Sequence, residues 1–292
     1  MTPESILDHP AKVLSAEERA SYFDKGYLLA QSYISADWLT RLRNATNKLV
    51  DQSRSYSESD AVFDLETGHT SDDPRLRRVS SPCDVDQEFW AFLNESPLAD
   101  LLQDLLGPDV KFYQSKLNFK WARGGTEVKW HQDAPFFPHT NDSVMTVGLY
   151  LEDCGLEQGP LAVIPESHKG EIFSHYDRSG HWTGSIQNDD LPRLNTDSAE
   201  LLSGPAGSVT VHNYRTVHGS GPNTSPFGRP LLLNVVSAAD AMPYTHNALS
   251  SCYEQEIIRG QPAKWAHHTG GQYQIPPDWS GGYSSIFAIQ QG

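Results

Sequence analysis

The sequence predicts a mainly β fold with flanking helices, in which a β-sandwich or jelly-roll barrel lies behind a helical front. Helix-length segments with capping signals come first, and strand-length segments separated by Gly, Pro, Asn and Asp follow from Lys111 onward. With 292 residues and 38% hydrophobic content, the chain can bury one substantial core or at most two small ones. We predict one domain over 1–292, with a helical part over about 1–108, a barrel core over about 109–240 and a C-terminal extension over about 241–292.

The first predicted elements are a short helix, a strand and a longer helix. The capping-box pattern Ser15-Ala16-Glu17-Glu18 predicts a helix that runs to Lys25, with Gly26 as its stop signal. Residues 26–29 then have the pattern of a strand. After a Ser35 cap, a second helix is predicted by apolar residues spaced four, three and four apart, namely Trp38, Leu42, Ala45 and Leu49.

A third helix is predicted from Asp86 to Leu106, closed by Gly107-Pro108. Residues 52–80 are rich in Ser, Asp and Arg, and we interpret them as a surface excursion that could border the site. The segment from Glu171 to Ser203 fits a mobile loop over the barrel mouth or a plain surface insertion equally well. Strands are predicted at Lys111 to Trp121, Val144 to Leu151, Leu161 to Pro165, Ser208 to Val211 and Leu231 to Ser237.

Charge and cysteine content limit the class of protein. The formal net charge of −15 argues against nucleic acid or an anionic membrane as a partner, and a small soluble substrate is expected instead. The three cysteines are odd in number and widely spaced, so we expect buried thiols in a reducing compartment at Cys83, Cys154 and Cys252. No basic segment leading into an apolar core opens the chain, and a cytoplasmic location is predicted, with the oligomeric state left open.

Three ligand-type side chains, His131, Asp133 and His218, are followed by Arg229 eleven residues beyond the last. Two histidines and one carboxylate form the facial triad of non-haem Fe(II) oxygenases, and a later arginine suits an α-keto acid cosubstrate. Because residues i and i+2 of a strand point to the same side, His131 and Asp133 can bind one cation. The pattern indicates an oxygenase that uses iron and 2-oxoglutarate.

Two other histidines compete with this assignment. The sequence His-x-Asp occurs again at His175 and Asp177, but within a polar stretch, and we predict that His175 is a solvated loop residue. His212 lies six residues before His218 and is rejected as the third ligand, because the Gly-Ser-Gly turn and the spaced Arg229 follow His218. His212 could line the pocket or be an ordinary core histidine.

The strand from Lys111 to Trp121 alternates in the reverse of an ordinary half-buried strand. One face is predicted to pack against the helices through Tyr113, Leu117, Phe119 and Trp121. The other face carries Gln114, Lys116, Asn118 and Lys120, together with Phe112. Two interpretations stay open: a barrel-lining face that meets an anionic cosubstrate, or an exposed edge strand whose lysines oppose aggregation.

Residues around the metal motif and near the C-terminus are weaker candidates. Trp130, Phe136, Phe137 and His139 flank the motif and could form the wall of a substrate pocket, although ordinary core packing of the phenylalanines explains them as well. The segment from Pro276 to Tyr283 is unusual in composition, and it could wrap the barrel or contribute to a subunit contact.

Several ordered motifs together resemble the phytanoyl-CoA dioxygenase family over about residues 15 to 237. They are Tyr113-Gln114-Ser115-Lys116-Leu117-Asn118-Phe119-Lys120, Trp130-His131-Gln132-Asp133, Gly159 through Lys169, His218-Gly219-Ser220-Gly221-Pro222-Asn223 and Arg229. Among the family's members, ectoine hydroxylase has the most similar strand and ligand spacing. The resemblance implies a double-stranded β-helix core of the jelly-roll, cupin-like type, and an Fe(II)- and 2-oxoglutarate-dependent dioxygenase that consumes O2.

The resemblance also implies roles for individual residues. His131, Asp133 and His218 would bind Fe(II), whereas Arg229 and Ser220 would hold the distal carboxylate of 2-oxoglutarate. Asn118 resembles a further cosubstrate contact. Candidates for the substrate pocket are Gln114, Lys120, Trp130, Phe137, His139 and His212. Related halogenases lack the carboxylate ligand, so Asp133 favours hydroxylation, with desaturation, epoxidation and ring closure left open.

The substrate is expected to be a free small metabolite: an amino-acid derivative, an aminophosphonate, a quaternary amine or a secondary-metabolite scaffold. The acidic balance of the chain opposes an acyl-CoA substrate, and the segment from Ala134 to Thr140 departs from ectoine hydroxylase, which argues against ectoine. Two alternatives stay open: a catalytically inactive jelly-roll binding module, and a cupin-like metalloenzyme that does not use 2-oxoglutarate.

Overall fold

The computed structural model describes residues 1–271, 274–283 and 285–291. Gln272, Tyr273, Ser284 and Gly292, which belong to the predicted C-terminal extension, lie outside the described residues. The helices are α1 (Pro3–Leu7), α2 (Ala16–Lys25), α3 (Ala36–Ser53), α4 (Pro82–Val85), α5 (Gln87–Glu95), α6 (Leu98–Leu106) and α7 (Ile286–Gln291). The strands are β1 (Tyr27–Ala30), β2 (Phe63–Leu65), β3 (Leu76–Ser80), β4 (Val110–Lys120), β5 (Val128–His131), β6 (Val144–Tyr150), β7 (Leu161–Val163), β8 (Glu200–Leu202), β9 (Val209–Asn213), β10 (His218–Ser220), β11 (Arg229–Ala238) and β12 (Ile257–Arg259).

The capping signals place the first helices as predicted. The Ser15 side chain accepts a hydrogen bond from the Glu18 N–H at the start of α2, and Gly26 ends that helix with a left-handed φ of 84°. The Ser35 side chain accepts in the same way from the Trp38 N–H at the start of α3. Both predicted helices are therefore confirmed.

The third predicted helix is wrong in its extent, because α5 and α6 are separate helices. Ser96 has an extended backbone, with φ −80° and ψ 165°, and its N–H makes the last helical bond of α5, to Phe92. Pro97 follows, and its ring disfavours the helical conformation at the residue before it. The two short helices meet at this break.

The predicted surface excursion at 52–80 is also only partly correct. Residues 54–62 and 66–75 are largely exposed, but β2 and β3 extend the larger sheet beside β4. Within β3, Arg78 is 1% exposed. A segment with a polar composition thus supplies a buried strand next to the site.

Two antiparallel sheets form the β part of the protein. The larger sheet has the order β1-β9-β6-β11-β4-β3-β2, with β12 beside the start of β4, and the smaller has the order β5-β10-β7-β8. Residues from both sheets line a cavity between them. The mainly β prediction with flanking helices is confirmed.

The main core joins α3, α5 and α6 to the outer face of the larger sheet. Outward-facing strand residues and helix residues form one buried cluster that includes Leu42, Leu49, Phe89, Phe92, Leu102, Val79, Leu117, Val147, Val211 and Leu232. Because side chains alternate along a strand, the next residues point inward to the cavity. Covering the outer face with helices leaves the inner face free for polar side chains.

Strand β4 resolves the choice between a barrel-lining strand and an edge strand. It lies between β11 and β3, so the edge-strand interpretation is wrong. A bulge opposite Val235 and Val236 reverses the alternation at its start. Contrary to the prediction, Phe112 joins the helical core, whereas Tyr113 packs on the inner side against Phe137, with ring centroids 5.4 Å apart.

The cysteines bear on a further prediction. Cys83 and Cys154 are buried free thiols, but Cys252 is exposed, so the prediction of burial is wrong for that residue. In the part of the chain that the structure describes, no helix has the length and apolar character required to span a membrane.

Candidate metal centre

Two histidines face each other across the pair of strands β5 and β10. His131 is the last residue of β5 and is the register partner of His218, the first residue of β10. Their ring centroids are 4.1 Å apart. Each Nδ1 lies 2.9 Å from the carbonyl oxygen two residues earlier, of Lys129 and Thr216 respectively, to which it donates. This arrangement leaves each Nε2 lone pair directed toward the cavity.

Asp133 adds a carboxylate to this pair. Its Oδ1 lies 4.0 Å from His131 Nε2 and 3.9 Å from His218 Nε2. One ligand atom from each of the three residues lies within 4.8 Å of the other two, and all three side chains are buried. Two imidazole nitrogens and one carboxylate oxygen around a single point are the donor set that suits non-haem iron.

The second oxygen of Asp133 is held from the opposite side. Thr146 Oγ1 donates a 2.5 Å hydrogen bond to Oδ2, and His212 Nε2 lies 3.5 Å from the same oxygen. Thr146 and His212 are register partners on β6 and β9, so both reach Asp133 from the inner face of the larger sheet. His212 therefore lines the same cavity as the donor set, on the side of Asp133 that faces away from His131 and His218.

The protonation states of the three residues suit a cation. Burial lowers the pKa of His131 to about 4, although the Asp133 carboxylate opposes this shift. Burial likewise lowers the pKa of His218 well below its ordinary value. For Asp133, burial raises the pKa, but His218, His212 and Lys116 outweigh it and hold the carboxyl well below its usual range. Neutral imidazoles and an ionised carboxylate are the forms that bind a metal.

The cavity between the sheets, here called the Arg229 cavity, runs from this donor set to Arg229. The Arg229 guanidinium is buried at the start of β11, and its Nε has no hydrogen-bond partner. Among the described residues, no carboxylate forms an ion pair with it. A buried guanidinium without an acceptor is costly, and it suits a ligand carboxylate. Apolar walls between the two ends come from Leu161, Leu231 and Leu233.

Asn118, Ser220 and Lys120 surround the Arg229 end of the cavity. Asn118 Oδ1 is buried without a hydrogen-bond partner. Lys120 is the register partner of Arg229, and its Nζ donates to the Ser220 hydroxyl at 2.8 Å and to the Ser220 and Gly221 carbonyls. Lys120 was predicted in the substrate pocket, but the structure places it beside Arg229. Lys120 is the last residue on the polar face of β4. Its position in the sequence therefore indicated that it lies at the end of the strand, away from the other predicted pocket residue of β4, Gln114.

A second cavity, here called the Arg78 cavity, adjoins Asp133 on the other side. It is lined by Gln114 and Phe137, both predicted as pocket residues, and by Arg78, Lys116, Phe136 and Tyr283. Lys116 and Asp133 line both cavities. Arg78 was missed because its segment has no strand-like alternation of apolar residues.

Besides Lys120, two more of the predicted pocket residues, Trp130 and His139, line neither cavity. Trp130 points away from His131 and packs beside Ile164, Phe173 and Val217. His139 is buried, donates from Nδ1 to the Phe137 carbonyl at 2.7 Å, and packs edge-on against Tyr113. Both residues support the site from outside the cavities. Their predicted place in the pocket wall is therefore wrong.

The prediction that His175 is a solvated loop residue is also wrong, because the side chain is fully buried. Its Nε2 accepts a 3.1 Å hydrogen bond from the Gln132 N–H, and its Nδ1 lies 3.0 Å from the Phe173 carbonyl oxygen, to which it donates. Its ring stacks on Trp182. The residue between the two ligand-type side chains of the metal motif is therefore held by a histidine from the 171–203 segment.

The C-terminal segment covers the same region. Trp279 packs against Trp182, and its Nε1 donates to the Phe136 carbonyl at 3.4 Å. The α7 residues Ile286 and Phe287 line the Arg229 cavity. Within the segment from Pro276 to Tyr283, Trp279 makes the contacts above and Tyr283 lines the Arg78 cavity.

Comparisons with known proteins now decide the family. The family model described as "Phytanoyl-CoA dioxygenase (PhyH)" matches residues 22–231. The chain belongs to the phytanoyl-CoA dioxygenase family. A Stutzerimonas stutzeri relative described as a "probable alpha-ketoglutarate-dependent hypophosphite dioxygenase" is 33% identical over 248 residues, which are 84% of this chain and 86% of the relative. The ectoine dioxygenase of Sphingopyxis alaskensis is 26% identical over 270 residues, covering 86% of this chain and 82% of that enzyme.

Solved structures show the same fold for this member of the phytanoyl-CoA dioxygenase family. EctD from S. alaskensis with 2-oxoglutarate and 5-hydroxyectoine is 23% identical, with a TM-score of 0.63, over 93% of this chain and 92% of that one. The predicted jelly-roll core is thereby confirmed. So is the predicted enzyme class, an Fe(II)- and 2-oxoglutarate-dependent dioxygenase.

Proposed function

We propose that His131, Asp133 and His218 hold Fe(II) and that Arg229, with Ser220 and Asn118, holds 2-oxoglutarate for the oxidation of a small polar metabolite. One observation carries this assignment: a single cavity connects the three donor atoms to a buried guanidinium that lacks a carboxylate partner. A dicarboxylate with one end at the donor set and the other at Arg229 satisfies both ends of the cavity.

Each part of the cavity has a task toward the cosubstrate. Arg229 neutralises the distal carboxylate, and the Asn118 side-chain amide on the same wall, whose Oδ1 has no partner, can donate a hydrogen bond to the cosubstrate from Nδ2. Leu161, Leu231 and Leu233 exclude water from the aliphatic middle of the molecule. Bound Fe(II) supplies the oxidising chemistry, in which O2 converts 2-oxoglutarate to succinate and CO2 and leaves one oxygen atom for the substrate.

The substrate binds on the side of Asp133 that faces the Arg78 cavity. Gln114 and Phe137 lie there, as the sequence predicted for residues near substrate. Three relatives are named for acting on hypophosphite, ectoine and L-proline, which are all small and polar. Together with the net charge of −15, this favours a free small metabolite over an acyl-CoA, and hydroxylation as the outcome for organic substrates. The cytoplasmic location remains a prediction from the sequence.

An anaerobic titration tests these roles. Fe(II) and then 2-oxoglutarate are added to the apoprotein while the weak visible charge-transfer band of the chelate is followed. We expect a band that saturates near one equivalent and is absent in His131→Ala. Arg229→Ala should keep Fe(II) binding but weaken 2-oxoglutarate binding by about 1.5 to 3 kcal/mol, because it removes a charged hydrogen-bonded contact.

Arg193→Ala is the matched control, because this exposed arginine pairs with Glu171 and Asp190 away from the cavity. It should leave both affinities unchanged. Iron binding without any response to 2-oxoglutarate would instead assign these residues to a metalloenzyme centre of another kind, and a folded protein without iron affinity would indicate a binding module.

A further inference from the structure

The Arg78 cavity contains two basic side chains that face the same space. Arg78 in β3 is the register partner of Asn118, and Ser80, two residues later, is the partner of Lys116 in β4. Arg78 and Lys116 therefore lie diagonally across adjacent strands, on the face that points inward. Both line the cavity that also contacts Asp133. From the sequence alone, Arg78 and Lys116 cannot be distinguished from charged residues of the protein surface, because their burial arises from the pairing of the strands.

Neither side chain forms an ion pair with a carboxylate among the described residues, and the one polar partner of the Arg78 guanidinium there is the uncharged Tyr283 side chain. Arg78 is 1% exposed, and its Nε and Nη1 make no hydrogen bond. The neighbouring Arg77 is different, since it lies 3.7 Å from Asp64 and 3.9 Å from Glu66. Lys116 lines both cavities beside Asp133, the carboxylate that the proposed metal centre uses. A buried guanidinium without an anion is costly, so a fold that keeps one points to a ligand that supplies the anion.

The charges at the proposed metal centre do not supply an anion for Arg78 and Lys116. If the proposed function holds, the two charges of Fe(II) and the one of Arg229 already balance Asp133 and the two carboxylates of 2-oxoglutarate, and a protonated Lys120 beside Arg229 would add one more positive charge. Arg78 and Lys116 are then left without a counter-charge. A cationic substrate such as a quaternary amine would add to this excess, whereas an anionic substrate would remove it.

We propose that the substrate carries a compact oxyanion, a phosphonate, phosphinate or carboxylate group, which Arg78 and Lys116 bind beside the metal centre. This inference rests on the proposed function and names the substrate class of the same site. Planar guanidinium and ammonium donors on two sides fix the anion, and the adjacent substrate atom is thereby held toward Asp133. Gln114 Oε1 is buried without a partner and can accept a hydrogen bond from a hydroxyl or ammonium group of the same molecule.

The aromatic side chains limit the size of that substrate. Phe136, Phe137 and Tyr283 line the Arg78 cavity, and Tyr283 and Phe287 also lie near the Arg78 guanidinium, with their ring centroids 5.8 Å from its central carbon. An anion bound by Arg78 is thus surrounded by rings rather than by water. Such surroundings strengthen a charged contact and favour a small molecule.

Binding of simple probes to the anaerobic complex with Fe(II) and saturating 2-oxoglutarate tests the inference. Saturating 2-oxoglutarate occupies Arg229, so a probe anion reports on the other cations. The probes are methylphosphonate, acetate and tetramethylammonium, and the readouts are the shift of the visible chelate band and calorimetric binding. We expect an anion to bind and tetramethylammonium not to bind. A preference for methylphosphonate assigns a phosphorus oxyanion, and a preference for acetate assigns a carboxylate.

Variants locate the bound anion. Arg78→Gln and Lys116→Met should each weaken anion binding about tenfold or more, because each removes a charge-assisted hydrogen bond. Arg77→Gln is the matched control, since it removes the same charge from the adjacent residue, whose partners are Asp64 and Glu66. It should change anion affinity less than twofold.

The outcomes separate this inference from the proposed function. No chelate band in the unaltered protein would overturn the proposed function and the inference with it. A normal band with no anion binding, with tetramethylammonium bound instead, or with equal anion affinity in Arg78→Gln and Lys116→Met would overturn the inference alone. If Arg78→Gln does not form the chelate band, the anion affinity of Lys116→Met tests the inference. If neither variant forms the band, the preference of the unaltered protein for anions over tetramethylammonium tests it.

Discussion

Thr146 Oγ1 donates a 2.5 Å hydrogen bond to Oδ2 of Asp133, and this contact turns Oδ1 toward His131 and His218. A carboxylate that offers one oxygen to a metal needs its other oxygen to be held, since free rotation would exchange the two. The larger sheet supplies this restraint through β6, whereas the smaller sheet supplies the histidines. The metal site therefore depends on the relative position of the two sheets.

Thr146→Val is expected to weaken Fe(II) binding about tenfold, the lower end of the usual effect of removing a residue that orients a ligand. The substitution keeps the shape of the side chain and removes its donor. Fe(II) affinity is measured by anaerobic titration. Thr146→Ser, which retains the hydroxyl, should bind Fe(II) as the unaltered protein does, and equal affinities in all three proteins would show that the hydrogen bond has no orienting role.

His212 and His218 form a matched pair for testing which histidine binds the metal. Their ring centroids are 4.1 Å apart, but His212 Nε2 lies near Oδ2 of Asp133 and His218 Nε2 near Oδ1. We expect His218→Gln to abolish the visible band of the chelate and His212→Gln to retain it. The anaerobic titration with Fe(II) and 2-oxoglutarate distinguishes them, and the reverse pattern would make His212 the third ligand.

The sequence was sufficient to predict those features that depend on the chemistry of neighbouring residues. Ser15, Gly26 and Ser35 marked the ends of helices through their own hydrogen bonds and backbone conformation. The donor set His131, Asp133 and His218 was identified because strand periodicity and ligand chemistry act at short range. These features need no knowledge of the rest of the fold.

Prediction failed where the structure depends on distant parts of the chain. The bulge that exchanges the sides of Phe112 and Tyr113 arises from the pairing of β4 with β11, and no residue type in β4 marks it. Arg78 and His175 lie in polar segments, yet strand pairing buries the first, and packing against the metal motif buries the second. In both cases the composition of a segment indicated exposure, and tertiary contacts determined burial.

Leu117→Ala should destabilise the fold by about 2 to 5 kcal/mol, the usual cost of removing a fully buried leucine side chain. Leu117 is 0% exposed and packs on the helices, between Lys116 and Asn118, which line the Arg229 cavity. The free energy of unfolding is measured by urea denaturation. Leu201→Ala is the control, since Leu201 is 49% exposed, and it should change the free energy of unfolding by less than about 1 kcal/mol. Similar losses in the two variants would contradict the assignment of Leu117 to the core.

Binding of 2-oxoglutarate is expected to take up a proton at neutral pH, through Lys120. Burial lowers the pKa of Lys120 to about 6, and the neighbouring Arg229 contributes to the shift, so before the cosubstrate binds the side chain at pH 7 is mostly the neutral amine, whose two N–H groups are shared among the Ser220 and Gly221 oxygens. A carboxylate bound at Arg229 favours the ammonium form and raises this pKa, so binding should be tighter at pH 6 than at pH 8. Calorimetry in two buffers of different ionisation enthalpy measures the uptake. Lys120→Met should abolish it, and a binding enthalpy independent of the buffer in the unaltered protein would show that Lys120 does not change its charge when 2-oxoglutarate binds.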